Sequence, residues 1–255
     1  MFAALSCLIA FAAASPVRAE DDGSAKLSKD LTMSVGYKLW LNVWETAIPS
    51  YTNGGSHVNA ITAPAVAASI PNLSFKYKRF LLSGSYMTTG NYKFPAFKDT
   101  FVVAGVGYTT YDRYFTASRT ETDVNLGYYI TPNILTTVGY KNVEQKYTEK
   151  INATTYPTTK THYNGFTVGV GGSAALGGGF ALYGNGAFGY MDQTYTPASS
   201  KDAAVYEASE VGIAWRAPSV FSASLGYKFQ YLTSRGAIDA ADVSRGYIMG
   251  LNLSF

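Results

Sequence analysis

The sequence predicts an all-β chain: a closed antiparallel up-and-down transmembrane β-barrel of about ten strands. Apolar and polar side chains alternate with a two-residue period in segment after segment, and the connections between segments are short and long in turn. The mean hydropathy is near zero although charged residues make up only 15% of the chain. A helical membrane protein would be far more apolar, whereas a barrel hides its apolar half in alternation and keeps a neutral average. No stretch after residue 19 is apolar over the roughly 20 residues that a spanning helix needs.

The first element is not a strand. Phe2 to Ala14 is an apolar run, and Val17-Arg18-Ala19 before Glu20 is a small-residue cleavage pattern, although nothing basic precedes the run. Residues 1–19 are therefore expected to be a secretory signal peptide cleaved near Ala19, and 20–255 the barrel domain. Cys7, the single cysteine, falls in the signal, so the mature chain needs no disulfide. Loss of Arg18 takes the net charge from +3 to +2, a balance that does not point to nucleic acid.

The segment 31–46 sets the pattern for the strands. Leu31, Met33, Val35, Tyr37, Leu39, Leu41 and Val43 form an oily face. Thr32, Ser34, Gly36, Lys38 and Asn42 alternate with them, and Trp40 is the large exception. Similar segments follow at 66–77, 80–90, 120–130, 134–146, 162–174, 180–191, 204–215, 220–231 and 245–255. Each is near the ~9–11 residues with which a tilted strand crosses a bilayer.

Short connections fall at Lys78-Arg79, Thr131-Pro132-Asn133, Ala175 to Gly179 and Arg216 to Ser219; long ones fall at 47–65, 91–119, 147–161, 192–203 and 232–244. Short periplasmic turns and long outer loops are the expected arrangement for such a barrel. Pro71 is the one proline placed inside a strand, and the other mature prolines fall in connections, as ladder hydrogen bonding requires. Within 91–119, Phe101 to Tyr108 is strand-like: either a hairpin that extends the barrel above the membrane or a differently placed fourth strand, which leaves eight or twelve strands open. Val58 to Ala68 is apolar and could be a lid, a docking segment, or a strand end with a short turn of helix.

A soluble sandwich also alternates, but a lipid-facing barrel gathers aromatics at both interfaces. Phe75, Tyr77, Phe80, Tyr128, Phe180, Trp215, Phe221 and Phe255 lie near the short turns, and Tyr86, Tyr140, Tyr190, Tyr231 and Tyr247 lie toward the long loops.

In the last segment Tyr247, Met249, Leu251, Leu253 and Phe255 face one way. An alternating strand ending in a C-terminal Phe resembles the assembly signal of Gram-negative outer-membrane β-barrel proteins. The phrase Asp123-Val124-Asn125-Leu126-Gly127-Tyr128, with Thr131-Pro132-Asn133 and Gly139-Tyr140-Lys141, resembles hairpins of proteobacterial members of that class. The resemblance implies location in the cell outer membrane, with its lipid and the barrel assembly machinery as partners. A monomer is the expected state.

The triplet Gly-Tyr-Lys recurs at Gly36-Tyr37-Lys38, Gly139-Tyr140-Lys141 and Gly226-Tyr227-Lys228. Alternation turns each Tyr to lipid and each Gly and Lys to the lumen. A turn centred on Pro132 pairs Ile130 with Ile134 and sets Asp123 opposite Lys141. Glu210 is expected inward, diagonal to Lys228, and Lys38 has no obvious acid nearby, which leaves a little net positive charge inside. These lumen charges, Lys38, Asp123, Lys141, Glu210 and Lys228, could plug a narrow lumen or select solutes, because charges in a low-dielectric interior must be paired or hydrated.

No catalytic residue, metal ligand set or cofactor motif is expected. The two histidines, His57 and His162, stand in no hydrolase motif. The Gly171-Gly172 and Gly177-Gly178-Gly179 runs precede no helix, which excludes a phosphate loop. The expected function is a narrow porin-like channel or a structural outer-membrane protein, without enzymatic activity. Surface adhesion or ligand binding through the long loops is the alternative, and a hydrolase is the weaker third.

Overall fold

The computed structural model describes residues 30–52, 55–88, 91–103, 107–197, 201–218, 220–234 and 241–255; the expected signal segment and Glu20 lie outside them. Fourteen strands form among the described residues: β1 (Leu31–Thr52), β2 (Gly55–Thr62), β3 (Val66–Tyr77), β4 (Phe80–Thr88), β5 (Tyr92–Lys93), β6 (Phe97–Val103), β7 (Gly107–Thr131), β8 (Ile134–Ile151), β9 (Thr154–Thr155), β10 (Thr159–Gly177), β11 (Phe180–Thr196), β12 (Lys201–Arg216), β13 (Phe221–Ser234) and β14 (Ala241–Ser254).

Ten of them close a ring in the order β1, β3, β4, β7, β8, β10, β11, β12, β13, β14, each neighbour antiparallel, and these are the ten expected segments. The ring closes between β1 and β14, where Phe255 N donates to Met33 O at 2.8 Å and Met33 N donates back to Phe255 O at 3.1 Å. Closure matters because lipid offers backbone groups no partner, so a membrane sheet cannot keep an open edge.

The outward face follows the alternation. Leu31, Val35 and Tyr37 on β1, Val124, Leu126 and Tyr128 on β7, and Leu251, Leu253 and Phe255 on β14 are all exposed. Both aromatic belts lie on this face, with edge-on pairs such as Phe80 with Tyr128 and Tyr227 with Tyr247. In a soluble protein such a surface would be an aggregation hazard; in lipid it is the solvated side.

The strands run farther outward than the sequence suggested. β7 has 25 residues, more than twice the ~9–11 that cross the bilayer. In the strand-like run Phe101 to Tyr108, β6 pairs with the outer end of β7, with Val103 opposite Gly107, so it extends the wall and adds no ring strand; 104–106 lie outside the described residues. The connection 147–161 likewise shrinks to short turns, because β8 continues to Ile151 and β10 starts at Thr159.

Pro49 corrects the expectation that Pro71 alone lies within a strand. It sits in the outer part of β1 opposite Val58 of β2, beyond the last pair with β14 at Thr46, so one side of β1 has no ladder there to lose a donor. Val58 to Ala68 holds strand ends and no helical turn, with Ile61 and Ala63 buried beneath it.

Above the membrane this wall has its own interior. Trp44, Ile48, Ile61, Tyr92, Phe94 and Phe115 form one buried cluster, and Val143, Tyr163, Met191, Tyr206 and Leu232 a second. Trp44 meets Tyr92 and Phe94 edge-on, with ring centroids 5.0 and 5.8 Å apart.

Gly246 is a tight point of the ring. A Cβ there would collide with the backbone carbonyl of Leu41, which cannot rotate aside. Gly246→Ala is expected to destabilise the barrel by about 1–3 kcal/mol, as overpacking does; urea unfolding in lipid vesicles measures it.

Candidate functional site

The lumen carries the chemistry, and it has two parts. The lower part is polar, small-residued and open to the periplasmic turns. The upper part is filled.

The lid between them is a charge network. Asp123 and Lys141 occupy opposite positions on β7 and β8, with Lys141 Nζ donating to Asp123 Oδ1 at 2.9 Å. The turn below them differs in detail from the expected one. A bulge between Tyr129 and Thr131 leaves Ile130 out of register, so Thr131 and not Ile130 faces Ile134. The extra residue is taken up before the ladder begins, and the pairing above it is unchanged.

Lys141 also donates to Glu121 Oε2 at 2.6 Å. Glu121 in turn lies 2.6 Å from Arg119 Nη2. Arg119, Glu121 and Lys141 are each 1–2% exposed, so the network is out of water. Glu121 carries charge of opposite sign to both neighbours, and that pairing offsets the cost of burying three charges.

The network crosses the lumen. Arg119 Nη1 donates to Ser244 Oγ on β14 at 2.8 Å and Nη2 to Gln230 Oε1 on β13 at 3.1 Å. Gln230 Nε2 donates to Glu121 Oε2 at 3.0 Å and to the Tyr206 hydroxyl at 3.1 Å. β7 and β13 are five strands apart in a ring of ten, which makes them opposite walls. Side chains from opposite walls thus meet at hydrogen-bond distance at that level.

The remaining expected lumen charges sit just below. Lys38 does have an acid, which corrects the sequence expectation: its Nζ lies 3.0 Å from Glu210 Oε1 across the barrel. The two are 172 residues apart in sequence, so only ring closure reveals them as neighbours. Glu210 stands directly opposite Lys228 in register and not diagonal to it, because β12 continues to Arg216, which pairs with Ser222. Glu210 nonetheless takes its bonds from Lys38 and the Tyr183 hydroxyl. Lys228 Nζ lies 4.6 Å over the ring of Trp40, the large residue that broke the polar face of β1.

In the Gly-Tyr-Lys triplets the tyrosines are exposed outward. The glycines leave room for neighbours: a Cβ at Gly36 would strike Asn252, at Gly139 Asn125, and at Gly226 the Tyr183 hydroxyl.

Sequence reasoning did not single out Arg119, Glu121, Gln230 or Tyr206. Arg119 fell in an assumed loop, and the others alternate inward without a motif to mark them. At the outer rim it also missed Arg113, whose Nη1 and Nε lie 2.6 Å from Asp99 Oδ2 and 2.6 Å from Glu149 Oε1. The strand-like FVVAGVGY run was the one signal that ordered structure lay there.

Of the histidines, His162 is on the outer face, with Nε2 3.4 Å from Glu144 Oε2. The His57 side chain lies outside the described residues. Among the described residues no group of three or more His, Cys, Asp or Glu could hold a metal ion.

No family model and no curated protein matches the sequence. Solved structures do. The outer membrane protease OmpT from Escherichia coli superposes with a TM-score of 0.59 at 12% identity, covering 88% of this chain and 97% of that one. The toluene transporter TbuX from Ralstonia pickettii matches with a TM-score of 0.34 at 8% identity, over 87% and 89% of the two chains. The match to OmpT shows the fold to be that of an outer-membrane β-barrel. One expectation is overturned: the two histidines outside any hydrolase motif argue against an enzyme, yet a solved barrel that shares this fold, E. coli OmpT, is an outer-membrane protease. The scarcity of histidine could not carry that exclusion, because it counts residues and not the fold that arranges them.

Proposed function

We propose that this protein is an outer-membrane barrel with a closed lumen, working at its outer rim and not as an open diffusion pore. The observation that carries the reading is the Arg119–Glu121–Lys141 network, which joins opposite walls through Gln230 and Ser244. Above it the wall continues well past the outer aromatic belt around an apolar interior, which gives the outer loops a rigid base. The outward face up there is polar, with Arg245 3.4 Å from Glu45 and Lys146 2.6 Å from Glu144. A surface built in this way suits binding or chemistry at the rim. E. coli OmpT, which is named a protease, is a precedent for an outer-membrane enzyme on this architecture.

A second reading, a narrow porin-like channel, is favoured by the polar lower lumen, which would be half of a passage. Planar-bilayer recording separates the two. The refolded wild-type chain is expected to show no steady single-channel steps, and a stable conductance with an ion preference would establish the channel instead. We also infer that Tyr247, Met249, Leu251, Leu253 and Phe255 present the assembly signal, and that the barrel acts as a monomer.

A further inference from the structure

We propose that the lower lumen is a binding chamber for a small, multiply charged oxyanion that enters from the periplasmic side. The chamber holds about 450 Å³. Its ceiling is the closed network, and its walls carry amide and hydroxyl donors at Asn72, Asn125, Asn185, Asn252, Ser222 and Ser224.

Its charge is one-sided. Lys38 and Lys228 line the upper chamber, and Glu210 is the only carboxylate among its lining residues. Toward the mouth, Lys76 lies with Nζ 4.6 Å over the ring of Tyr129, itself a wall residue. Arg216 follows in alternation from Glu210 and Ala214 and pairs with Ser222 of the wall. Two cations thus line the chamber against one carboxylate, with Lys76 and Arg216 added toward the mouth. The Lys141 ammonium in the ceiling is taken by Asp123 and Glu121.

Glu210 is itself engaged by Lys38 and Tyr183. Among the described residues no carboxylate lies within salt-bridge distance of Lys228, whose ammonium rests instead on the Trp40 ring. An ammonium has three donors and no acceptor. At the end of a narrow polar chamber with low-dielectric walls, a cation with no direct carboxylate contact draws anions, and cations at the mouth steepen that field. An oxyanion would take charge-assisted bonds from Lys228 and neutral ones from the amides and hydroxyls around it. The excess of positive charge along the chamber and its mouth suits a multiply charged anion better than a monovalent one.

Inorganic phosphate is the probe. Calorimetric titration of the refolded chain is expected to show saturable phosphate binding and none for glucose. Lys228→Met should weaken binding about tenfold, the loss of one good charge-assisted contact. Lys150→Met, outside the chamber, should leave binding unchanged. Lys76→Met, at the open mouth where folding is least at risk, should weaken it by a smaller factor. Absence of phosphate binding by the wild-type chain, or equal affinity in the Lys228→Met and Lys76→Met variants, would overturn the proposal. Because the titration reads binding and not passage, its failure leaves the closed-lumen reading standing.

Discussion

Glu121→Leu is expected to cost about 3–5 kcal/mol of barrel stability, the usual result of removing one partner from a buried ion pair. The carboxylate serves Arg119, Lys141 and Gln230 at once, at 2.6, 2.6 and 3.0 Å. Its loss leaves two buried cations with less compensating charge in a water-poor layer. Asp123→Asn should cost far less, under about 1–2 kcal/mol, because the Asp123 side chain is 26% exposed and Lys141 keeps Glu121. The double variant Arg119→Met with Glu121→Leu should recover much of the loss, since replacing both members of a buried pair by apolar groups is often near neutral. Urea unfolding of the wild-type chain, Arg119→Met, Glu121→Leu and the double variant forms a double-mutant cycle. Additive losses would show that Arg119 and Glu121 do not act as a pair.

Leu251→Arg tests the lipid face with an effect of similar size. Leu251 is exposed on β14, opposite Tyr37 on β1 and Ala223 on β13, between Tyr247 of the outer belt and Phe255 at the periplasmic end. A lipid-facing Arg near the midplane costs about 2–4 kcal/mol, and the same change at Phe255, near the interface, should cost about 0–1 kcal/mol. The same pair of variants in a soluble protein would show no dependence on depth. Equal, small effects at both positions would therefore remove Leu251 from the membrane.

Much of the fold was legible because a barrel writes its architecture locally. The period of two fixes which side chains face lipid, so the outward Tyr37, Tyr140 and Tyr227 could be placed without coordinates. The short turn at Thr131-Pro132-Asn133 fixed the Asp123–Lys141 register despite the bulge within it. What stayed hidden needs ring closure. Lys38 and Glu210 lie on strands far apart in sequence, and Arg119 reaches Ser244 across 125 residues. No pattern along one strand encodes a partner on the opposite wall. The outer extension was hidden for another reason: beyond the bilayer the outward face is no longer apolar, so Lys150 and Lys160 look like loop residues although the backbone pairing continues beneath them.

The central claim is that the lumen is closed between the outer surface and the chamber, and two-sided chemical access tests it most directly. With Cys7 replaced, the chain has no other cysteine, so a single Ser224→Cys places one thiol on the chamber wall. In liposomes of defined orientation, a charged membrane-impermeant thiol reagent should modify it from the periplasmic side and leave it untouched from the outer side. Modification at comparable rates from both sides would contradict the account and show an open passage past Arg119, Glu121 and Lys141.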